Sequence, residues 1–513
     1  MNLAMLLEMA ADAFGERIAV SCAGRTLSYT ALRSAAQSAA RALAEADVTR
    51  VALLDGNDLA APVALFAAAI AGLPYVPLNY RLTPAELEQL LARVAPAWLV
   101  VPQVLRAPLQ LPPGIVPVDP AALLLPRGAA GATPRETPSE PQAVAIQLFT
   151  SGTTGAPKAA LLRHEHLVSY ILGSVEFGAA SAEEALLMAV PPYHIAGISA
   201  LLSATYCARR IVMLPSFEPA EWVRLLQAER ITHAFLVPTM LVRILEYLAQ
   251  QLPRARFPAL RAIAYGGGRM PLAVIERALQ VFPGVDFTNA YGLTETSATV
   301  CLLSPEDHRA AKSSADPEVR RRLGSVGRPL PSVQLEVRDA SGARLPAGEP
   351  GLVFVRGPQV AGEYHGRGSL LDGEGWFATQ DRGWLDAGGY LFLDGRADDV
   401  IVRGGENISP GEVEEALLAH PAVADAVVVA VPSEQWGETV GAAVVVKPGQ
   451  SVSVESLQQW VRTRLRSSRV PERLVFRATL PYNEMGKVLR RVVRGELAGQ
   501  ASPQGVQRYT TPG

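Results

Sequence analysis

The chain has 513 residues, which is too long for one ordinary hydrophobic core, so two or more domains are expected. Apolar residues make up 49% and charged residues 19%, a balance that excludes a disordered chain and suits a well-buried globular enzyme. The formal net charge is −2 and no basic block stands out, so neither a nucleic acid nor an anionic membrane is favoured as a partner.

The number of cysteines and the distribution of charged and apolar residues indicate where in the cell the protein is expected. Three cysteines, far apart and odd in number, fit a reducing compartment and give neither a disulfide framework nor a zinc pattern. Four charged side chains within residues 1–20 argue against a secretory signal. Residues 59–78 carry no charge, but they contain three prolines. We interpret them as a buried helix near 63–71 followed by a loop or strand, not as a membrane span, and we expect a soluble, cytoplasmic protein.

Periodicity predicts the elements of the first part of the chain. Residues 28–43 have the spacing of an amphipathic helix, with Ser28 as a possible N-cap. Residues 126–142 are rich in Pro, Gly, Ala and Thr and predict an exposed connector. An apolar run at 143–149 predicts a buried strand. Beyond it, short strands alternate with helices, which predicts an α/β fold; the helices are expected at 165–175, 219–227 and 272–280.

The character of the sequence changes near Arg396. The part of the chain that follows has the size of a separate α+β domain of about one hundred residues. Its last dozen residues, from Ala501, predict a frayed tail. Within this domain, helices are expected at 410–418 and 454–465, and strands at 426–431 and 440–446.

A glycine- and hydroxyl-rich loop follows the strand predicted at 143–149. Such a loop turns backbone N–H groups and hydroxyls toward one point, where they can hold phosphate oxygens. The spacing of its glycines and lysine is not that of a Walker motif. The alternative to a phosphate-binding loop is a flexible surface turn. The candidate phosphate ligands are Thr150, Ser151, Gly152, Thr153, Thr154, Gly155 and Lys158.

Further stretches place polar residues in glycine-rich settings. Each could be a turn when taken singly, but their order and wide spread make coincidence implausible. They are Tyr265 to Gly268, Asn289 to Thr296, Thr379 to Asp381, Gly395 to Asp399 with Gly404 to Ile408, and Met485 to Arg490.

Together these motifs resemble the adenylate-forming (ANL) superfamily, which comprises acyl-CoA synthetases, adenylation domains of peptide synthetases, and luciferases. The resemblance runs from the N-terminal helices to Arg490. It implies a large N-terminal adenylation domain of layered α/β subdomains at 1–397, a small mobile α+β domain at 398–500, and a flexible tail at 501–513. Asp398 falls where this family hinges.

The shared chemistry follows from the weakness of a carboxylate as an electrophile. Attack on the α-phosphorus of ATP gives an acyl-AMP and releases pyrophosphate, and a thiolate then displaces AMP. The first step brings two anions together, so cations and aligned dipoles must neutralise the charge between them. The resemblance thus implies ATP, Mg²⁺ and CoA as co-substrate.

The resemblance also implies roles in nucleotide binding. The glycine loop, through its hydroxyls and Lys158, should hold the β- and γ-phosphates. Thr294 should contact the α-phosphate and Glu295 should bind Mg²⁺. Asp381 should bind the ribose hydroxyls with help from Arg396, although this chain has Gln380 where the family usually has glycine. The expected adenine contacts are the aromatic face of Tyr291 and the segments Gly266, Gly267, Gly268 and Asn289, Ala290, Gly292.

Two further roles concern the moving parts. Lys487 matches the mobile lysine that bridges the substrate carboxylate and the α-phosphate, and its alternative is a solvated surface lysine. Rotation at Asp398 would withdraw Lys487 and bring a glycine-rich turn to the active site. That turn would shape a tunnel for the thiol, and its residues are Gly404, Gly405, Glu406 and Asn407.

The stretch around Tyr193 and His194 distinguishes branches of the superfamily. In acyl- and aryl-CoA synthetases this position borders the carboxylate pocket and gates the thiol, whereas amino-acid-activating domains place an aspartate here, and none occurs between Pro191 and Ser199. The alternative for His194 is a packed loop histidine. The expected walls of the acyl pocket are small and mostly apolar: Ile195, Ala196, Gly197, Ala264, Ser297 and Ala298.

These motifs predict an ATP-dependent acyl-CoA ligase for a fatty or aromatic acid, with Lys487, His194, Thr294 and Glu295 as catalytic residues. Its expected partners are a small carboxylic acid and CoA, with no nucleic acid; a homodimer is one option for its assembly. The main alternative is a stand-alone adenylating enzyme that loads a carrier-protein phosphopantetheine. A nucleotide-binding regulator is disfavoured because all the charged site residues are present. A serine hydrolase is disfavoured because a Gly-x-Ser-x-Gly elbow is absent.

Overall fold

The computed structural model describes residues 1–124, 140–150, 157–251, 256–483, 486, 488–499 and 508–510. Two compact units contain them. The first comprises Met1–Leu335 and Val355–Phe377, and the second comprises Glu336–Phe354 and Ala378–Gly513. The predicted domain boundary at Asp398 therefore lies inside the second unit.

The helices of the described residues are numbered from the N-terminus. Those of the first unit are α1 (Leu3–Phe14), α2 (Tyr29–Glu45), α3 (Ala60–Ala71), α4 (Pro84–Val94), α5 (Gln103–Arg106), α6 (Pro120–Leu124), α7 (His164–Ser174), α8 (Ile195–Tyr206), α9 (Pro219–Ala228), α10 (Pro238–Gln251), α11 (Leu272–Val281), α12 (Pro305–Ser313) and α13 (Pro317–Arg321). Those of the second are α14 (Pro410–Leu418), α15 (Val454–Arg462) and α16 (Arg490–Gly499).

The strands of the described residues are numbered in the same way. The first nineteen are β1 (Ile18–Cys22), β2 (Arg25–Ser28), β3 (Val51–Leu53), β4 (Tyr75–Pro77), β5 (Ala97–Val100), β6 (Ile115–Val118), β7 (Val144–Thr150), β8 (Lys158–Arg163), β9 (Ala185–Met188), β10 (Arg210–Met213), β11 (His233–Leu236), β12 (Ala262–Gly266), β13 (Asp286–Leu293), β14 (Ala298–Leu303), β15 (Arg328–Pro329), β16 (Gln334–Arg338), β17 (Gly351–Arg356), β18 (Glu363–Tyr364) and β19 (Gly368–Ser369). The others are β20 (Phe377–Leu385), β21 (Leu391–Arg396), β22 (Ile401–Arg403), β23 (Glu406–Ile408), β24 (Val423–Ser433), β25 (Gly437–Val446), β26 (Ser451–Ser453), β27 (Arg473–Arg477) and β28 (Arg508–Thr510).

Two large sheets build the first unit. One has nine strands in the order β15-β14-β13-β12-β11-β9-β10-β1-β2, and the other has eight in the order β19-β18-β8-β7-β4-β3-β5-β6. Most neighbours within them are parallel, whereas β7 and β8 form an antiparallel pair. The main core contains buried residues of α1, α2, α3 and α8 together with strands of both sheets. The predicted α/β fold is confirmed.

The helix α3 explains the uncharged stretch at 59–78. Every residue from Ala60 to Ala69 is buried, so the helix is apolar on all sides because it lies inside the core. The strand β4 follows it, as predicted. Within the described part of the chain, no helix combines the length and apolarity that crossing a membrane requires.

The second unit contains smaller sheets. One has the order β16-β17-β20-β21, and another has the order β23-β22-β25-β24 with β27 paired to β25. The helix α15 ends at Arg462, so the helix predicted at 454–465 is three residues too long. The strand β28 pairs with β26, and the other residues predicted as a flexible tail lie outside the described residues.

Candidate active site

An antiparallel hairpin frames the glycine loop. Thr150 at the end of β7 lies opposite Lys158 at the start of β8, and the Thr150 hydroxyl donates to the Lys158 carbonyl at 3.4 Å. The predicted strand before the loop is therefore confirmed. Five of the predicted phosphate ligands lie outside the described residues, so their roles stay predictions: Ser151, Gly152, Thr153, Thr154 and Gly155.

Tyr364 links the loop lysine to the predicted metal ligand. Its hydroxyl donates a hydrogen bond to Oε1 of Glu295. The ammonium nitrogen of Lys158 lies 6.0 Å from the centroid of the Tyr364 ring. The pairing of β18 with β8 creates this arrangement, because Tyr364 lies opposite Ala160. A cation and a carboxylate thus flank one phenol, and the sequence motifs gave no sign of Tyr364.

The backbone around Glu295 is held from several sides. Its carbonyl accepts hydrogen bonds from the N–H groups of Ala361 and Gly362, both at 2.9 Å. The next residue, Thr296, is buried and donates its hydroxyl to the Ala298 carbonyl at 2.8 Å. These bonds fix the short 3₁₀ turn Thr294–Thr296, so the Glu295 carboxylate is presented from a rigid segment.

Gln359 is a second supporting residue that the motifs did not reveal. It is 1% exposed, and its amide nitrogen donates to the carbonyls of Thr296 at 3.2 Å and Thr299 at 2.7 Å. Because it is buried and joins both ends of the segment that follows Glu295, it stabilises the conformation of that segment.

Two of the predicted adenine-site glycines are required by neighbouring backbone. A Cβ on Gly266 would lie 2.2 Å from the carbonyl oxygen of Ala290 on the paired strand β13. A Cβ on Gly292 would lie 1.7 Å from the carbonyl oxygen of Ala298. We expected the first of these glycines to admit a base, but the close approach of β13 already excludes a side chain there.

The other predicted adenine-site residues differ in exposure and in hydrogen bonding. A Cβ on Gly268 would lie 3.6 Å from Cγ of Pro238, an ordinary van der Waals contact, and Gly268 is exposed. Tyr291 is 9% exposed, and the amide nitrogen of Asn289 donates to the Ser325 carbonyl at 3.1 Å. Unlike Gly266, Gly268 therefore has room for a small side chain and is accessible to a ligand.

His194 belongs to an aromatic group at the start of α8. Its ring centroid lies 4.5 Å from that of Tyr193, and Tyr80 meets Tyr193 edge-on at 5.5 Å. A Cβ on Gly197 would lie 2.6 Å from the carbonyl oxygen of Pro191, so the entry into the helix requires glycine. The role of His194 as a thiol gate stays a prediction.

The predicted acyl walls differ in burial. Ile195, Ala196 and Ala264 are half-buried, as residues lining a cavity would be. Ser297 and Ala298 are buried and have φ values of 56° and 120°. The Ser297 hydroxyl finds no hydrogen-bond partner in the part of the chain that the structure describes. These six positions carry no charge, so the walls suit an uncharged acyl group.

Asp381 and Arg396 face each other across β20 and β21 in the second unit. Arg396 Nη1 lies 3.3 Å from Asp381 Oδ1 and donates to the Thr379 carbonyl at 3.1 Å. Gln380 has a φ of 63°, a left-handed conformation that glycine adopts more readily. Gln380 thus adopts within β20 a backbone conformation that a glycine would favour, and the Asp381 carboxylate is held by an arginine.

The predicted tunnel turn is a tight hairpin. Gly404 and Gly405 have φ values of 56° and 86° and join β22 to β23 as a two-residue turn. A Cβ on Gly404 would lie 2.9 Å from the Trp436 ring. Glu406 accepts a hydrogen bond from Arg469, which lowers the pKa of this carboxyl. The turn itself accounts for both glycines, and the thiol tunnel stays a prediction.

Lys487 lies outside the described residues, so its catalytic role stays a prediction. Among the described residues nearby, Tyr482 and Val488 form an antiparallel bridge, and the Leu489 N–H donates to the Pro481 carbonyl at 2.8 Å. Asp398 lies in the 3₁₀ turn Ala397–Asp399, and its role as a hinge stays a prediction.

Comparison with known families gives two adjacent matches. The AMP-binding enzyme family matches residues 7–365, and the AMP-binding enzyme C-terminal domain matches residues 412–487. The chain is 33% identical over 504 residues to the fatty acid–[acyl-carrier-protein] ligase ScoC of Streptomyces coeruleorubidus, with 94% of each chain covered. It is also 33% identical over 487 residues to a feruloyl-CoA synthase of an Amycolatopsis species, covering 93% of this chain and 95% of the relative.

Solved structures show the same likeness. The o-succinylbenzoate CoA synthetase MenE of Bacillus subtilis, in complex with an acyl-adenylate intermediate, superposes with a TM-score of 0.81 at 27% identity. ATP-bound MatB of Rhodopseudomonas palustris superposes with a TM-score of 0.84 at 27% identity. Each covers 97% of this chain and 99% of its own.

Proposed function

The chain belongs to the AMP-binding enzyme family and is an adenylate-forming ligase, and we propose that it converts a fatty or aromatic carboxylic acid to its CoA thioester. In the first step the acid attacks the α-phosphorus of ATP, which gives acyl-AMP and pyrophosphate. In the second step the CoA thiolate attacks the acyl carbon and AMP leaves.

The arrangement of Glu295, Tyr364 and Lys158 is the observation that carries the proposal. A triphosphate bound at the glycine loop needs a cation near its outer phosphates and a carboxylate for its magnesium. Lys158 supplies the first and Glu295 the second, and Tyr364 contacts both. This pairing suits a reaction in which two anions must be brought together.

Magnesium fits the donors at this place. Mg²⁺ prefers oxygen ligands and is usually held by one or two carboxylates together with substrate phosphates. Glu295 offers such a carboxylate, and the described residues contain no cluster of three or more acidic, histidine or cysteine side chains that would form a protein-only cage. When bound, the ion would neutralise phosphate charge, and Glu295 would hold it.

Other residues of the chain would bind the nucleotide and the acid. Thr294 would contact the α-phosphate, and Asp381 with Arg396 would orient the ribose. Lys487 would bridge the α-phosphate and the incoming carboxylate, which lowers their mutual repulsion. His194, beside Tyr193, would border the path by which the thiol arrives.

CoA is the acceptor that we favour, and a carrier protein is the second candidate. Similarity to a feruloyl-CoA synthase supports the first, and similarity to a fatty acid–carrier-protein ligase of equal identity supports the second. The uncharged walls around Ala264 support an apolar acyl chain or ring in both cases.

We also propose a cytoplasmic location. All three cysteines are free and buried, and burial raises the pKa of the Cys22 thiol to about 11. Free, buried thiols of this kind suit a reducing compartment.

The test is pyrophosphate release across fatty, aryl and polycyclic acids, each with CoA, with a phosphopantetheinyl carrier protein, and with no acceptor. We expect one class of acid, with an uncharged acyl group, to release pyrophosphate and to give a thioester with CoA. Transfer to the carrier protein alone would favour the second candidate. ATP binding without pyrophosphate release for every acid would contradict the proposal. Lys158→Ala should weaken the reaction, whereas Lys312→Ala, a lysine bonded to the Leu279 carbonyl, is the matched control.

A further inference from the structure

Tyr170 joins three elements of the first unit. It belongs to α7, and its hydroxyl lies 3.5 Å from Oγ1 of Thr299 on β14. The hydroxyl of Ser199 on α8 also forms a hydrogen bond with it, and burial raises the pKa of Tyr170 above its ordinary value. The phenol is therefore neutral and keeps its proton for donation. A hydrogen-bond donor is thus placed where α7, α8 and β14 meet.

Both partners of Tyr170 lie next to predicted walls of the acyl pocket. Thr299 directly follows Ala298 on β14. Ser199 lies one helical turn after Ala196, and its hydroxyl donates to the Ala196 carbonyl at 3.2 Å. Ala196, Tyr170 and Thr299 all keep part of their surface exposed, although the elements that carry them pack together. Three hydroxyls therefore adjoin walls that are otherwise mostly apolar.

The hydroxyls lie beyond the residues that would hold the reacting carboxylate. His194 is the N-cap of α8, and Ser199 follows it by five positions. Thr294, the proposed contact of the α-phosphate, likewise precedes Thr299 by five positions. Five residues of helix span about 7.5 Å, which is room for one aromatic ring or a short chain. The hydroxyl group thus lies where the far end of an acyl group would be.

The hydrogen bond between Tyr170 and Thr299 is long. Its 3.5 Å compares with about 2.7 Å for an ordinary bond between two hydroxyls. Because the bond is weak, the phenol can turn to a closer acceptor on a ligand. The three hydroxyls also partner one another, so an acid that lacks an acceptor leaves no buried group unpaired. The preference for an acceptor is therefore moderate and not absolute.

We propose that Tyr170 is a specificity-determining residue that donates a hydrogen bond to an uncharged oxygen at the far end of the acyl group. This inference rests on the proposed function and narrows its substrate class to acids with an apolar body and a distal hydroxyl, ether or carbonyl oxygen. A charged group at that end would be disfavoured, because the three hydroxyls offer no opposite charge to compensate its desolvation.

The test uses pairs of acids that differ only in a distal hydroxyl. The pairs are benzoate and para-hydroxybenzoate, cinnamate and para-hydroxycinnamate, and octanoate and ω-hydroxyoctanoate. For each pair, kcat/KM is measured by pyrophosphate release, and the dissociation constants of the unreactive acyl-sulfamoyl adenosines are measured by calorimetry. Tyr170→Phe removes only the hydroxyl. Tyr247→Phe is the matched control, because this tyrosine belongs to α10, which packs against α9 and α11. Thermal unfolding of each full-length variant checks its stability.

We expect the wild type to prefer the hydroxylated member of at least one pair by about tenfold, which is about 1.4 kcal/mol. In Tyr170→Phe this preference should fall to about twofold or less, because the hydroxylated acid is bound less well while the plain acid is little affected. Tyr247→Phe should keep the preference of the wild type.

Three outcomes would overturn the inference: no preference in the wild type for any pair, the same preference in Tyr170→Phe, or an equal loss for both members of a pair. An equal loss would mean that Tyr170 only stabilises the fold. If the wild type activates no acid, the proposed function fails, while the ratio of the two dissociation constants in each pair still decides the role of Tyr170.

Discussion

The hydroxyl of Tyr364 donates a hydrogen bond to the carboxylate of Glu295, although the two residues are 69 positions apart in the chain. The contact orients the carboxylate that we propose as the magnesium ligand. The ring of the same tyrosine has its centroid 6.0 Å from the ammonium nitrogen of Lys158.

Tyr364→Phe tests the importance of this contact. Loss of the donor leaves the Glu295 carboxylate less well oriented, and supporting partners of this kind are commonly worth tenfold to a hundredfold. We expect kcat/KM for MgATP to fall by about tenfold, with a higher Mg²⁺ concentration needed for half-maximal pyrophosphate release. Tyr206→Phe, at the other end of α8 from His194, is the control. Unchanged magnesium dependence would show that the hydrogen bond does not serve the metal.

The two glycines Gly266 and Gly268 should respond differently to alanine. Gly266→Ala places a methyl group 2.2 Å from the Ala290 carbonyl oxygen, so we expect about 3 kcal/mol of destabilisation. Gly268→Ala meets its nearest atom at 3.6 Å, so stability should change by less than about 0.5 kcal/mol. If the nucleotide approaches at Gly268, the KM for ATP should still rise by about tenfold. Thermal unfolding and ATP titration measure both effects, and an unchanged KM in Gly268→Ala would remove this residue from the nucleotide site.

The sequence predicts the fold well where periodicity is local. The helix α2 was expected from the spacing of its apolar residues, and Ser28 caps it by accepting from the Ala31 N–H at 3.1 Å. Many polar site residues could be predicted because they belong to short contiguous motifs, as Thr294 and Glu295 do. Their supporting residues could not, because Tyr364 and Gln359 reach the site through strand pairing and folding over long sequence separations.

The structural reason why a position requires glycine is hard to predict from the sequence. Gly266 is an expected adenine contact, yet the neighbouring strand already requires a residue without a side chain there. Gly404 is expected in the turn that shapes the thiol tunnel, yet the two-residue hairpin and the Trp436 ring account for this glycine. Both reasons depend on backbone distances between segments, which a single sequence does not reveal.

Asp398→Pro tests the proposed hinge. Proline fixes φ and restricts the preceding residue, so it should hinder rotation about residue 398. We expect thioester formation to slow by about tenfold or more while adenylation is spared. Asp398→Ala is the control, because it removes the contact with Arg396 but leaves the backbone free to rotate. Full turnover at the wild-type rate in Asp398→Pro would exclude residue 398 as the pivot.

His164 gives a prediction for pH dependence. Its Nδ1 accepts from the Leu3 N–H at 3.2 Å, and burial lowers the pKa of this histidine to about 4, against an ordinary value of 6.5. The unfolded chain binds the proton more readily, so the stability contribution is present above pH 6.5 and is lost as the pH falls toward 4.

The matched variant is His164→Asn, which retains an acceptor but does not titrate. Between pH 6.5 and 4 the wild type should lose about 3 kcal/mol of unfolding free energy relative to this variant. Denaturant unfolding of both proteins at several pH values measures the difference. Parallel curves over that range would show that His164 does not titrate with the expected shift.

The most direct test of the proposed reaction compares the two half-reactions in Lys487→Ala, using an acid that the wild type activates. We expect acyl-AMP formation to be abolished, because the carboxylate and the α-phosphate would repel each other without the bridging ammonium group, while thioester formation from supplied acyl-AMP stays close to the wild-type rate. Lys447→Ala, which removes a lysine bonded to the Pro421 carbonyl in the same unit, should leave both steps intact. Equal failure of both half-reactions in Lys487→Ala, or normal acyl-AMP formation, would contradict the account.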